Sequence, residues 1–241
     1  MIGEKWVGAA ALVVPALVAA ACGSPQENTR ARTAVGVEST TARGVAARQT
    51  TFRPRVLFLG TSLTAGLGLD PDSAYPAVVQ RLATAAGFAV DVVNAGLSGE
   101  TSAGALRRAD WLLTQPVALL VIETGANDGL RGLDPDTTAA NIAALIAKAR
   151  VAHAGVAIAL TQMEAPPNLG PAYTRRFRAL FADVARAHRV RLLPFLLDGV
   201  GGKPELNQDD GIHPTAKGAR LVAATVFRGL KPVLDSIEGR R

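Results

Sequence analysis

The stretch Val56-Leu57-Phe58-Leu59-Gly60-Thr61-Ser62-Leu63-Thr64-Ala65-Gly66 decides how this chain is read. An apolar run stops abruptly at Gly60, hydroxyl residues follow at once, and a Gly-containing turn closes the segment. A short apolar run bounded by Gly reads as a buried strand. Ser62 then stands where a strand of an open α/β sheet delivers its last residue, the place where such sheets hold ligands. A serine there can be a turn residue, a helix cap or a nucleophile, and the rest of the chain decides which.

Outward from this stretch, apolar runs alternate with amphipathic segments. The pattern predicts strands over 55–59, 89–94, 117–122, 155–160 and 190–193, and helices over 72–86, 102–113, 136–152, 173–188 and 215–230. Asp72 or Ser73 would cap the first of these helices and Gly87 would stop it. This order predicts the α/β class: a five-stranded parallel sheet in a three-layer α/β/α sandwich with right-handed crossovers. Functional residues should lie in loops at the carboxyl ends of the strands.

With 241 residues the chain can build one α/β domain with a real core. Aromatics make up only 5%, so Ala, Val and Leu must supply most of that core. The net charge of +6 owes much to Arg30, Arg32, Arg43, Arg48, Arg53 and the Arg240-Arg241 tail. No basic stripe is interleaved with aromatics, so nucleic acid is not an expected partner.

The apolar run Trp6–Ala21 follows Lys5 and ends at Cys22, the one cysteine of the chain. The run is too short and too rich in small residues for a membrane span and fits a secretory segment. Ala19-Ala20-Ala21-Cys22 resembles a bacterial lipoprotein cleavage site, with Ala19 where Leu is usual. A signal peptide over 1–22 is therefore expected, with Cys22 as the lipidated residue. Cleavage near Ala21 by the ordinary route, with Cys22 incidental, is the alternative. Either way the protein is exported, to the periplasm or cell surface, and a lipid anchor would tie it to the membrane. A single cysteine rules out an intramolecular disulfide framework. Residues 23–53 are Ser, Thr, Arg, Gly, Ala and Glu without an apolar period, which reads as a flexible linker.

Four segments at strand ends carry chemistry. Ser62 follows the first strand, Gly96 the second and Asn127 the third, and Asp209-Asp210-Gly211-Ile212-His213-Pro214 precedes the last helix. A serine hydroxyl needs a base to become a nucleophile. His153 and His188 lie near helix ends and read as solvated surface residues, whereas His213 is held in a loop by Pro214. Asp210, three residues earlier, can reach the Nδ1 side of the ring and leave the other nitrogen for Ser62. A turn aspartate and a helix-entry histidine would have the same spacing. Ester hydrolysis also needs donors for the developing oxyanion; the Ser62 N–H, the Gly96 N–H and the Asn127 amide are candidates. Turn chemistry alone would also account for Gly96 and Asn127.

Gly60-Thr61-Ser62-Leu63, Gly96 within Asn94–Ser102, Gly125-Ala126-Asn127-Asp128 and Asp210-Gly211-Ile212-His213-Pro214 resemble, in order, the four blocks of the SGNH (GDSL-type) hydrolases. The resemblance is strongest to the bacterial thioesterase I, lysophospholipase L1 and arylesterase branch. It implies a flavodoxin-like hydrolase domain over 54–234, followed by a disordered tail over 235–241. It implies Ser62 as nucleophile, His213 as base, Asp210 as the partner that orients it, and Ser62, Gly96 and Asn127 as the oxyanion hole. Thr61 stands where the family usually has Asp, and Asp209 and Asp128 read as turn and supporting groups.

The expected activity is hydrolysis of short or medium acyl or aryl esters, with thioesters and lysophospholipids as further candidate substrates, by a monomer needing no cofactor. A long-chain lysophospholipase or thioesterase, or a surface binding module that has lost the chemistry, are the alternatives. The loops 163–173 and 196–207 are expected to border the acyl site. Thr64 stands where an α/β-hydrolase elbow needs Gly. Leu67 after Gly66 breaks a phosphate loop, and Gly66-Leu67-Gly68 lacks the third glycine of a dinucleotide fingerprint. No cluster has zinc spacing, so no metal is expected.

Overall fold

The computed structural model describes residues 53–239. The expected signal peptide, Cys22, the linker up to residue 52 and the last two residues of the tail lie outside the described residues.

Five strands, β1 (Arg55–Gly60), β2 (Asp91–Gly96), β3 (Leu119–Ile122), β4 (Ala157–Gln162) and β5 (Arg191–Phe195), form one parallel sheet in the order β2-β1-β3-β4-β5. β1 lies inside the sheet, in register from Arg55↔Asp91 to Gly60↔Gly96 with β2 and from Val56↔Leu119 to Leu59↔Ile122 with β3. The unbroken apolar sequence of β3 is buried throughout, as both-face coverage demands. β2 is an edge strand and is partly exposed along its length.

The longer helices are α2 (Tyr75–Ala85), α3 (Ser102–Leu112), α5 (Pro135–Ala152), α6 (Pro171–His188) and α7 (Ala216–Ile237); α1 (Ser62–Ala65) and α4 (Ala126–Leu130) are single turns at strand ends. α2 packs on α7, while α5 packs on α3 and α6. With right-handed crossovers these two groups cover opposite faces of the sheet. Phe58, Leu57, Leu120, Ile122, Leu160, Phe177 and Phe181 fill the layers between. Each such side chain contributes roughly 1.5–3 kcal/mol by leaving water. The few aromatics carry more of the core than their number suggests: Phe177 meets Phe181 edge-on at 5.5 Å.

Most strands begin one or two residues later than the apolar runs suggest. Phe88, Val90 and Val117 are buried ahead of the ladder, against the helical layers. β2 also runs on to Gly96, through residues expected in a loop. Asp72 and Ser73 lie in a 3-10 turn (Pro71–Ser73) and cap nothing; α2 starts after Ala74, with Pro76 in its first turn. Gly87, with φ of 83°, does end α2.

The largest departure is at the carboxyl end. The expected helix end at Leu230 and the disordered tail from residue 235 are both corrected: α7 continues to Ile237. Pro232 removes one backbone donor, but Leu230 and Leu234 remain on one buried face. Lys231 pairs with Asp235 one turn on at 2.9 Å, and the Ala89 N–H donates to Glu238 Oε1 at 2.6 Å. Apolar burial and these bonds outweigh the missing helical hydrogen bond.

Candidate active site

In a sheet of order 2-1-3 the chain leaves β1 for one edge and returns to its other side for β3, so the crevice between their carboxyl ends is the switch point. Ser62 is the first residue of α1, directly after β1, and Asn127 lies in α4, directly after β3. The His213 loop reaches the same end because it precedes α7. Gln208 anchors it there, donating through Nε2 to Leu67 O at 2.7 Å and to Pro214 O at 3.0 Å.

The three groups expected to share a proton path meet. His213 Nε2 lies 2.8 Å from Ser62 Oγ, and His213 Nδ1 lies 2.6 Å from Asp210 Oδ2. The other carboxylate oxygen of Asp210 accepts the backbone N–H groups of Ile212 and His213, both at 2.9 Å. These bonds favour the charged form. The His213 backbone N–H, then its ring, then the Ile212 N–H hold the Asp210 pKa down at about 2. A carboxylate that stays ionised down to about pH 2 fixes Nδ1 as the protonated nitrogen and leaves Nε2 as an acceptor for the serine proton. His153 and His188 are partly buried rather than solvated, at the ends of α5 and α6. Those helix ends lead into β4 and β5, so both histidines lie at the opposite end of the sheet.

The donors for an oxyanion are arranged differently from expectation at one position. The Ser62 N–H opens α1 and has no hydrogen-bond partner among the described residues. Asn127 donates through Nδ2 to Glu100 O at 2.9 Å, which fixes its amide plane and leaves the second N–H available. The Gly96 N–H, however, is already used: it donates to Asn94 Oδ1 at 2.9 Å. Gly96 is a glycine for a steric reason, since a Cβ there would stand 2.1 Å from Ala65 N and 2.6 Å from Ala65 Cα. Gly99, three residues on, is the better donor. Its φ is 77°, a Cβ would meet nothing within 4 Å, and its N–H has no partner among the described residues. Its carbonyl accepts from Arg131 Nη2 at 3.0 Å, and the next carbonyl, Glu100 O, holds Asn127. Of the two glycines, Gly99 rather than Gly96 thus keeps a free N–H as a candidate donor.

A family described as the GDSL-like Lipase/Acylhydrolase family matches residues 58–221. The chain belongs to that family. It is 41% identical over 180 residues to Esterase TesA of Pseudomonas aeruginosa, covering 74% of this chain and 89% of that one. It is 34% identical over 177 residues to an arylesterase of Vibrio mimicus, covering 73% and 88%. A crystal structure of the psychrotrophic esterase EstA from Pseudoalteromonas sp., inhibited by monoethylphosphonate, superimposes with a TM-score of 0.71 at 34% identity, over 75% of this chain and 98% of that one.

Within this GDSL hydrolase several residues that support the site carried no sequence motif. Glu123, the residue after β3, is wholly buried and accepts the Thr61 N–H at 2.8 Å and the Thr64 hydroxyl at 2.8 Å. Arg108 on α3 pairs through Nε with Glu100 at 2.7 Å and donates through Nη2 to Ala95 O at 2.8 Å and Gly60 O at 3.3 Å. It thus ties the ends of β1 and β2 to the loop that carries Gly99. Asp128 behaves as expected of a supporting group. It accepts the Ser102 N–H at 2.8 Å and the Ser102 hydroxyl at 2.5 Å, joining the start of α3 to α4. Charge on a nearby residue could have flagged Arg108, but nothing local marks Glu123.

Beside Ser62 and His213 lies a partly open apolar recess of about 10 Å³, walled by Leu67, Leu69, Leu196, Leu197 and Val222. The loop 196–207 therefore contributes to it as expected. The loop 163–173 does not line this recess; its Met163 is in the core. Among the described residues, no group of His, Cys, Asp and Glu could hold a metal ion.

Proposed function

We propose that this protein is a serine esterase that cleaves carboxylic esters through an acyl-enzyme on Ser62. The observation that carries the reading is the unbroken path Ser62 Oγ–His213 Nε2–His213 Nδ1–Asp210, with contacts of 2.8 and 2.6 Å. Ser62 Oγ attacks the ester carbonyl carbon while His213 Nε2 takes its proton. The oxygen of the tetrahedral species gains negative charge and is met by the Ser62 N–H, the Gly99 N–H and the Asn127 amide. The same proton then passes to the leaving alkoxide or phenoxide, which departs as the alcohol. Water repeats the sequence on the acyl-enzyme, and Asp210 stabilises the imidazolium in each half.

The recess beside Ser62 is apolar, small at about 10 Å³ and partly open, which supports a short apolar acyl group over a long one. The names of the relatives, esterase and arylesterase, support a carboxylic ester as the substrate. Export rests on the sequence alone: the apolar run before Cys22 supports a lipid-anchored form at the cell envelope.

The test is hydrolysis of p-nitrophenyl acetate by residues 54–241 beside its Ser62→Ala variant. Loss of nearly all activity in the variant is expected, with stoichiometric capture of the unmodified protein, but not the variant, by an alkylphosphonate ester. Equal rates for the two proteins would exclude Ser62. A p-nitrophenyl ester series should favour acetate to butyrate over decanoate. Incorporation of labelled palmitate in the full chain should vanish on Cys22→Ser.

A further inference from the structure

A buried carboxylate that the mechanism does not use lies beneath the nucleophile turn. Glu123 has no solvent exposure and no ion-pair partner among the described residues. Its side chain is held by hydroxyls and one amide. Thr61 donates its N–H to Oε2 at 2.8 Å and its hydroxyl to both oxygens at 3.0 Å, and the Thr64 hydroxyl donates to Oε2 at 2.8 Å. Thr61 immediately precedes Ser62, and Thr64 follows it within the same turn of α1. The carboxylate thus grips the chain on both sides of Ser62. Its own backbone is anchored as well, since the Glu123 N–H donates to Leu59 O at 2.8 Å. The fit is tight: a Cβ on Gly60 would stand 2.0 Å from Thr64 Oγ1 and 2.7 Å from Glu123 Oε2.

Resting on the assignment of Ser62 as nucleophile, we propose that Glu123 is a positioning residue: as a carboxylate it locks Thr61 and Thr64 as donors and so fixes the turn that presents the Ser62 hydroxyl, and protonation releases that lock. The proton bookkeeping explains the release. The ionised form accepts every bond aimed at it, which directs the Thr64 proton to Glu123 and requires the Tyr75 hydroxyl, 2.8 Å from Thr64 Oγ1, to be the donor of that bond. A protonated carboxyl must instead donate to one of the two threonines, whose own hydrogen then needs a new acceptor. Burial pushes the Glu123 pKa up from 4.5 to about 7, against the pull of the Thr61 and Thr64 hydrogen bonds. The switch therefore falls near neutral pH.

The groups around it do not compete for this role. Tyr75 on α2 is the ionisable group facing it, and burial followed by the Glu123 charge pushes that phenol well up, so it stays neutral. β1 presents only backbone. The guanidinium of Arg108 on α3 reaches Gly60 O but pairs with Glu100. Asp210 and His213 satisfy one another and the Ser62 hydroxyl.

The experiment compares kcat and KM for p-nitrophenyl acetate, from pH 5 to 9, in the unmodified protein, Glu123→Gln and Thr64→Val. Glu123→Gln keeps the shape and removes the charge. Its kcat should fall about 10-fold or more at pH 8, with KM within about twofold, because no substrate atom touches residue 123. In the unmodified protein the acid side of the kcat profile should include the loss of the Glu123 proton, and Glu123→Gln should remove that step. Thr64→Val should lower kcat, and the double variant should be no worse than Glu123→Gln alone. A kcat within about twofold of the unmodified protein together with an unchanged acid limb would overturn the proposal. If Glu123→Gln does not fold, Thr61→Val/Thr64→Val, which leaves the carboxylate in place, must show the same loss of kcat, and its absence is equally fatal. Should Ser62→Ala be fully active, the assignment of the nucleophile fails; should Ser62→Ala be dead and Glu123→Gln unaffected, only the positioning role fails.

Discussion

Replacing Gly96 by Ala tests whether this glycine serves the site by absence of a side chain rather than by its N–H. The added Cβ would lie 2.1 Å from Ala65 N, 2.6 Å from Ala65 Cα and 2.7 Å from Thr64 C, all backbone atoms of α1. None can rotate away. Reaching an ordinary contact of about 3.4 Å requires α1 and β2 to separate by roughly 1.3 Å. Ser62 begins α1, and its hydroxyl stands 2.8 Å from His213 Nε2, so that shift carries it beyond hydrogen-bond reach. A misplacement of about 1 Å costs on the order of 100-fold in rate, and overpacking costs about 1–3 kcal/mol. Gly96→Ala should therefore lower kcat about 100-fold and reduce Tm by several degrees. The comparison is Gly99→Ala, where a Cβ meets nothing within 4 Å and the cost is that of a positive φ of 77°. That strain is about 1–2 kcal/mol, with the N–H retained. The assay is steady-state hydrolysis of p-nitrophenyl acetate beside thermal melts of the three proteins. If Gly96→Ala keeps more than about a third of the parental kcat with an unchanged Tm, the steric reasoning is refuted.

Other outcomes are open to measurement. Asn127→Ala should lower kcat about 100-fold or more, as for loss of one oxyanion donor, and a loss under about threefold would remove it from that role. Arg108→Leu leaves Glu100, whose side chain is only 5% exposed, without its cation; urea denaturation should show a loss of about 2–4 kcal/mol, and an unchanged midpoint would contradict the clamp. The pH dependence of stability has opposite signs at two carboxylates. Asp210, lowered from 3.8 to about 2, stabilises the fold above pH 3.8 and loses that contribution as pH falls through about 2. Glu123, raised from 4.5 to about 7, stabilises fully below pH 4.5 and loses its contribution as pH rises through about 7. Relative to Glu123→Gln, the unmodified protein should therefore lose on the order of 3 kcal/mol between pH 4.5 and 8 in urea titrations, whereas parallel stability curves would contradict the burial of an ionisable group there.

The sheet and the Ser62–His213–Asp210 path were legible because they rest on local pattern. Apolar runs, stop residues and the order of four short blocks each survive in a linear reading. What failed to show was anything set by backbone state or by distant pairing. Gly96 and Gly99 are the same letter three residues apart in the segment after β2, and only the fold separates them: one lies at the end of a ladder against α1, the other has a positive φ and an unused N–H. The local pattern stops α7 short because its last turns depend on burial of Leu234 and on Glu238 reaching Ala89, a contact 149 residues away in sequence. Glu123 was invisible for a similar reason. A glutamate between an apolar run and Thr124-Gly125 looks like the start of a loop, and its partners lie 59 and 62 residues earlier.

Thr61 then acquires a physical meaning that its departure from the family pattern alone did not supply. Its hydroxyl lies 3.0 Å from both Glu123 oxygens, and its side chain is buried. An Asp at that position would set a second carboxylate against the first in a site without a cation. The two would have to share a proton, and the pair would titrate as one coupled unit. Thr61 instead offers a donor to a single acid. The turn that carries Ser62 therefore depends on the ionisation of one group, Glu123, and the missing aspartate simplifies the network without taking a proton carrier from the Ser62–His213–Asp210 path.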